Sequence, residues 1–301
     1  MTDMNLALIS MAAGRFRFGV SPVRALFSLR TSDFGLRTSI AAHARRLGVA
    51  RSTPALLVLL LVLGGMSLSI AAEAPGAAPR RRILLVTGVD YPGHHWRETA
   101  PALVQALRKD QRLEVSVVED PAFLDSAALN GYDAVLLHFQ NWEQPGPGQA
   151  ARDNLRRFVE NGKGLLLAHF ACGAWYGEWP EFSKLAGRVW AGPGPEVRQH
   201  DPFGTFRVTV TATNHPVTRG MAAFETKDEL YTCLIGEHPI EVLAEAISKV
   251  DGKPYPMAFV SRYGRGRTFH CVLGHDAAAL SVPEVQTLFR RAAAWAAGLE
   301  P

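Results

Sequence analysis

Three short apolar runs constrain what this chain can fold into more than any other feature. They are "RILLVTG" (82–88), "YDAVLLHF" (132–139) and "GLLLAHF" (164–170). Each is too short for a helix, and none shows the polar alternation of a strand with one wet face. Strands buried on both faces read in this way, and such strands belong to parallel sheets covered by helices. Helical periods lie between them. Ala100, Leu103, Val104 and Leu107 recur at helical spacing behind Thr99 and Pro101, and "ARDNLRRFVENG" places Ala151, Leu155, Phe158 and Val159 on one side, with Gly162 as its stop. "LEVSVVED" adds a further strand. The fold class these patterns predict is α/β, with a mostly parallel sheet.

Beyond residue 200 the pattern changes. "FRVTVTAT", "DELYTCL" and "IEVLAEA" read as strands, and "MAFVSRY" pairs with "RTFHCVL" as a hairpin across Gly264-Arg265-Gly266. The last helix starts on Pro283 and buries Val285, Leu288, Phe289, Ala292 and Trp295.

Charge separates this domain from what precedes it. Residues 1–82 carry eleven Lys+Arg against three Asp+Glu, whereas residues 83–301 carry twenty-one against twenty-five. The domain is mildly acidic, so the net charge of +4 gives no warrant for a nucleic-acid partner. Residues 1–74 read as a leader. Arg45, Arg46 and Arg51 precede the apolar run 54–70 and a small-residue zone ending near Ala71 or Ala74, the pattern of a secretory signal at about residues 45–72. The segment before it exceeds what a signal needs, which suggests a true start downstream. Residues 75–80 then form a linker, and a single domain fills 81–301. The expected location is periplasmic or secreted, with retention of 54–70 as a membrane anchor the alternative; the run is short against the ~20 residues of a span. Cys172, Cys233 and Cys271 are an odd number without regular spacing, which argues against a disulfide framework.

The histidines carry the functional signal. His94 and His95 follow the first strand, His138 ends the third, His169 ends the fourth, and His275-Asp276 ends the last. In an open parallel sheet the ligand crevice lies outside the carboxyl ends of the strands, so these residues are expected on one rim. Converging imidazoles bind a borderline metal together with a carboxylate, and they exchange protons near neutral pH. A divalent metal, zinc above others, is the expected cofactor, with His94, His138, His169 and His275 as its candidate ligands; no nucleotide cofactor is expected. Trp96, Trp142, Trp175 and Trp179 suit a sugar ring, which stacks on aromatic faces. The competing account is that each histidine is a hydrogen-bonded core or loop residue. His200 and His215 lie on loops that the sequence does not place. Cys172, in the turn after "LLLAHFA", raises the alternative of a nucleophile elbow; its simpler reading is a small apolar residue beneath the rim.

"GHHW", "LLLAHFACGAW", "WPEFSKLAGRVW", "NHPVTRGM", "FETKDELY", "PMAFVSRYGRGRTFHCVLGHD" and "FRRAAAWAAG" together resemble the ThuA-like (trehalose utilisation) domain of the class I glutamine amidotransferase-like superfamily, over residues 81–298. The resemblance implies a three-layer α/β/α flavodoxin-like sandwich with added C-terminal strands. It also implies carbohydrate metabolism without a working amidotransferase triad. The residues it brings to the rim are His94, His95, Trp96, His169, Asp228, Glu229, Tyr231, Gly274, His275 and Asp276. The stretch "RVWAGPGPEVRQHDPFG" departs from a shorter "GGxFxxHP" in many relatives, which puts the role of His200 in doubt.

The expected protein acts on a small carbohydrate, a glycoside or keto-sugar, with hydrolase- or lyase-type chemistry. Its catalytic candidates are His169, His275 and Asp276, and its substrate-binding candidates are His94, His95, Trp96, Trp175, Asp228, Glu229 and Tyr231. Asp90 is a further carboxylate within reach of the rim. A non-catalytic carbohydrate-binding protein and a Cys172-dependent amidohydrolase are the alternatives. A homo-oligomer is left open, and a membrane is met only through the leader.

Overall fold

The computed structural model describes residues 79–89, 91–194 and 197–301. The leader and Asp90 lie outside the described residues. The apolar runs form strands β1 (Arg81–Val86), β3 (Ala134–Leu137) and β4 (Gly164–Ala168), with β2 (Leu113–Val118) at the sheet edge. Together with β11 (Gly266–Cys271) they make a parallel half in the order β2-β1-β3-β4-β11. The sheet then continues antiparallel through β10 (Pro254–Tyr263), β9 (Glu241–Ile247), β6 (Gly204–Val210) and β7 (Phe224–Asp228). A separate two-stranded ribbon pairs β5 (Val189–Trp190) with β8 (Leu234–Ile235).

Period-two geometry divides the buried strands between two cores. Ile83, Leu85, Leu136, Leu166 and Phe269 face helices α1 (Trp96–Arg108) and α5 (Pro283–Ala296), which come after a short α4 (Ala277–Ser281) in the case of α5. Leu84, Val86, Val135, Leu137, Leu165 and Leu167 face α2 (Gln149–Glu160) and α3 (Phe182–Ala186). The result is the expected three-layer sandwich. The apolar stripe of α1, Ala100-Leu103-Val104-Leu107, is buried as its spacing predicts, so truncating Leu103 or Leu107 to Ala costs about 2–5 kcal/mol.

Two sequence expectations need correction. The first helix starts at Trp96, not behind Thr99, because His95 is already its N-cap and Pro101 is accommodated inside. "DELYTCL" is not one strand: β7 ends at Asp228, Tyr231 makes an isolated bridge with His200, and a strand resumes only at Leu234. Between them Glu229, Leu230 and Tyr231 are all buried, because the chain turns its polar side chains inward under the rim. Among the described residues no helix is long and apolar enough to cross a membrane.

Candidate functional site

Each histidine of the site is set by the way its strand ends. At the exit of β1, Gly88 takes φ +114°, and a Cβ there would meet the Glu119 carbonyl oxygen at 1.9 Å, so only glycine fits. The chain then makes a tight turn in which His94 N–H donates to the Tyr91 carbonyl at 3.0 Å, and the His94 ring stacks against Tyr91 and Phe170. At the end of β4, His169 adopts φ +48°, a left-handed conformation that costs a side-chain-bearing residue about 1–3 kcal/mol. Its Nδ1 stands 2.6 Å from the Val272 carbonyl oxygen, which only accepts. The proton therefore sits on Nδ1, and Nε2 offers a lone pair to the rim.

The carboxylate comes from the antiparallel half. Buried Asp228 accepts from the backbone N–H groups of Glu229 (2.8 Å), Gly274 (2.7 Å) and His275 (3.1 Å). Gly274 makes that approach at φ +121°. This carboxylate fixes the two segments that deliver Glu229 and His275. Burial pushes the Asp228 carboxyl up, while His169 and the three amides oppose it.

His94, His169, Glu229 and His275 thus present one ligand atom each, all within 4.8 Å of one another. His94 Nε2 and His169 Nε2 are 3.1 Å apart. Glu229 Oε2 lies 3.4 Å from His169 Nε2, 3.9 Å from His94 Nε2 and 3.3 Å from His275 Nδ1. With bonds of ~2.0–2.1 Å, the donors of a tetrahedral zinc stand roughly 3.3 Å apart, and these four separations, from 3.1 to 3.9 Å, lie near that spacing. The Nδ1–H to carbonyl bond of His169 is the outer support that a metal-binding imidazole needs.

Electrostatics agrees with the spacing. Burial, reinforced by His169, lowers the His94 pKa to about 2, so its imidazole is neutral and its lone pair is available. Burial pushes Glu229 up, but His169 and His275 hold it well below the usual carboxylate range. The Glu229 carboxylate raises His275 in turn. A carboxylate this buried demands a compensating positive charge, from the His275 proton or from a cation. Burial also keeps the Tyr231 phenol protonated, and its O–H donates to His169 Nε2 at 3.1 Å. The oxygen of Glu229 turned away from this cluster faces His200 Nε2 at 3.4 Å. His200 is oriented by its Nδ1–H, which donates to the Asp201 carbonyl at 2.7 Å, and by backbone pairing with Tyr231.

His94, His200, Glu229, Tyr231 and His275 line a cavity of about 190 Å³ together with Tyr91, Trp142, Trp190, Cys172 and Cys233. A concave pocket with aromatic walls and a few converging polar atoms is the ordinary form of a small-molecule site.

The remaining sequence candidates fall elsewhere. His138 is not a ligand, because its ring nitrogens meet the hydroxyls of Thr87 and Thr99 at 3.1 Å each, and burial lowers its pKa to about 3. His95 is exposed at the N-cap of α1. Trp96 is buried against the α1 side of the sheet and lines a different groove beside β2. Trp175 is buried with its indole N–H on the Pro147 carbonyl, packed among Phe139, Trp179 and Phe182, so it is no wall of this pocket. Asp276 caps α4 through the Ala279 N–H and has no place among the four donors. Cys172 lines the pocket, but burial and then Cys233 push its thiol well up, the reverse of what a nucleophile needs. Tyr91, Trp190, Gln199 and Cys233 were not singled out by the sequence reading as lining residues. Only Trp190 carried a signal, as a tryptophan inside the stretch that departs from relatives.

A family model described as trehalose utilisation, ThuA, matches residues 82–296. The chain belongs to the ThuA family. The match spans every strand that builds the site except the first residue of β1. Among solved structures, a ThuA-like protein of Parabacteroides merdae superposes with a TM-score of 0.63 at 24% identity, covering 73% of this chain and 91% of that one. A ThuA-like protein of Bacteroides uniformis gives 0.59 at 19% identity over 75% of this chain and 94% of that one. A cytoplasmic protein of Salmonella typhimurium gives 0.51 at 17% identity over 72% and 99%. At these identities the likeness is one of fold. No curated protein matches the chain.

Proposed function

We propose that this ThuA-family protein is an exported enzyme that acts on a small carbohydrate, a glycoside or keto-sugar, by hydrolase- or lyase-type chemistry at a divalent-metal centre. One observation carries the reading: three imidazoles and one carboxylate converge within 4.8 Å at an aromatic-walled pocket. Three nitrogens and one oxygen suit zinc better than calcium or magnesium, which prefer all-oxygen shells. His94, His169, Glu229 and His275 would hold the ion, and it would supply Lewis acidity toward a sugar oxygen or a bound water.

The chain's own residues divide the remaining work. His94 is neutral, and His169 is fixed by its Nδ1–H bond to the Val272 carbonyl, so both are suited to hold an ion. Tyr231 donates from the buried side and keeps His169 oriented. His200 is the half-exposed imidazole that faces Glu229 from outside the four donors, so a proton reaches the pocket from solvent through it. Tyr91, Trp142 and Trp190 offer ring surface against which the apolar face of a sugar stacks. Export rests on the basic and apolar leader sequence; mass spectrometry of the N-terminus of the secreted protein tests it by showing cleavage near Ala71 or Ala74.

The central experiment combines zinc titration by calorimetry with turnover on a panel of glycosides and their 3-keto derivatives. The reading expects one zinc per chain, lost in His169→Ala, and turnover that chelation abolishes. A protein that takes up no metal, and whose turnover survives His169→Ala, would sink it. Turnover lost in Cys172→Ala and indifferent to chelators would instead establish a thiol enzyme.

A further inference from the structure

An edge strand leaves a row of backbone groups unpaired, and a protein either guards that row or uses it. The two edges of this sheet differ. β7 ends the antiparallel side and carries a charge at each of its exposed positions, Glu225 and Lys227. β2 ends the parallel side, and there Val117, an apolar residue, is 41% exposed.

The direction of the peptide groups in β2 follows from its bonds. The carbonyls of Arg112 and Val118 accept from Arg81 and Thr87 on the β1 side, so the even-numbered residues of this strand face β1. By period-two geometry Val115 and Val117 face outward. Arg108 agrees with this, because its guanidinium donates to the Val115 carbonyl at 3.3 Å from the open side. The N–H and C=O of Val117 have no partner among the described residues.

Beside this edge lies a groove of about 760 Å³ between α1 and β2. Its centre is apolar, with Trp96, Ala100 and Val104 of α1 alongside Val117. Its charges are separated. Since α1 leads from the end of β1 back to the start of β2, it runs against the strands, so Arg108 and Lys109 stand where β2 begins and Glu119 stands where it leaves.

We propose that the β2 edge and this groove are the interface between two copies of this chain, related by a two-fold axis, with β2 pairing antiparallel to its own copy across Ser116. The outward peptide groups dictate that register. Val115 exchanges N–H and C=O bonds with the partner's Val117, and its carbonyl, having two lone pairs, accepts the new bond beside that of Arg108. The same register sets the partner's Glu119 opposite Leu113, diagonal to Val115 and so within reach of the guanidinium held there. Symmetry repeats the contact at the other end. A groove that is basic at one end and acidic at the other is therefore complementary to itself. No residue of the groove lines the His–Glu pocket, so this surface can be altered independently of that site.

The test follows the oligomeric state of the full chain by sedimentation velocity over a wide dilution series, with melting temperature as the control for folding. The expected result is a dimer whose Kd rises by on the order of a hundredfold in Val117→Lys, which puts a charge at the centre of the paired edge. Glu119→Lys and Arg108→Glu each weaken it by about tenfold or more, because each sets like charges against one another at both ends. Mixed in equal amounts, these two single variants re-form a dimer, since one end then has its native pair and the other a reversed pair. A general loss of folding cannot produce that recovery. A chain that is monomeric at every concentration overturns the proposal. An oligomer indifferent to all three substitutions also overturns it and places association on another surface, and a mixture that fails to recover overturns it as well.

Discussion

The two halves of the sheet contribute different chemistry to one rim. Strands β1, β4 and β11, all parallel, are followed by His94, His169 and His275, whereas the antiparallel extension supplies Asp228 at the end of β7 and Glu229 and Tyr231 just past it. The parallel half is a set of buried strands with common polarity, so its loops collect at one end by topology alone. The antiparallel half has no such common end, and its carboxylates reach the site only because the chain leaves β7 and turns inward. A second contrast lies inside the parallel half. His138 and His169 end neighbouring strands and are equally buried, yet threonine hydroxyls occupy both nitrogens of the first and leave one nitrogen of the second for the cluster.

That contrast can be broken by experiment. The largest expected effect is on metal affinity: His169→Ala and Glu229→Gln each weaken zinc binding by on the order of a hundredfold or more, measured by competition with a chromogenic chelator. His138→Ala leaves the zinc stoichiometry unchanged, but strands the two threonine hydroxyls and lowers stability by about 2–5 kcal/mol in urea unfolding.

Asp228→Ala comes next. It removes the acceptor of three buried amides, so both stability and zinc affinity fall, by about 1–3 kcal/mol for each stranded group. Asp228→Asn, which keeps one carbonyl oxygen, recovers part of both.

The third effect is a pH slope. The His138 pKa is lowered from 6.5 to about 3, and that of His270 to about 4, so between those values and 6.5 the unfolded chain binds more protons than the folded one. Stability is fully present above pH 6.5 and is lost as pH falls toward 3. Thermal unfolding of metal-free protein at pH 7, 5.5 and 4.5 is expected to show falling midpoints, with a shallower slope in His138→Gln. A midpoint that rises on acidification would contradict the assignment of His138 as a neutral structural group.

The smallest effect sharpens the comparison by its absence. His95 is exposed and makes no capping bond, so His95→Ala changes stability by less than about 0.5 kcal/mol and leaves zinc affinity unchanged.

Much of this was legible in the sequence, unevenly. The apolar runs identified β1, β3 and β4, and the histidines past strand ends named three of the four clustered residues, because strand polarity alone determines where those ends lie. His138 was grouped with them since sequence position gives the strand end but not the hydrogen-bond partners. Thr87 and Thr99, which claim its ring, lie 51 and 39 residues away. Glu229 was visible as a polar residue near the rim, yet its part as the central carboxylate depends on the inward turn after Asp228, which "DELYTCL" conceals under the pattern of a strand. Trp96 and Trp175 were legible as aromatic residues near histidines. Which cavity an indole borders depends on the direction in which its element leaves the sheet: both are buried, Trp96 beside a groove near β2 and Trp175 beside a neighbouring cavity, and neither lines the His–Glu pocket. Trp142, in contrast, does line the pocket.

The anchoring of Glu229 and His275 on a single carboxylate has a consequence for how this site tolerates change. Half of the donor set hangs from one buried group contributed by neither donor, so a lesion at Asp228 displaces both together, whereas a lesion at His94 or His169 removes only itself. Variation along the chain should therefore leave two kinds of defective protein: some with one vacancy in an otherwise ordered centre, and others in which the carboxylate and its neighbouring imidazole are lost as a pair.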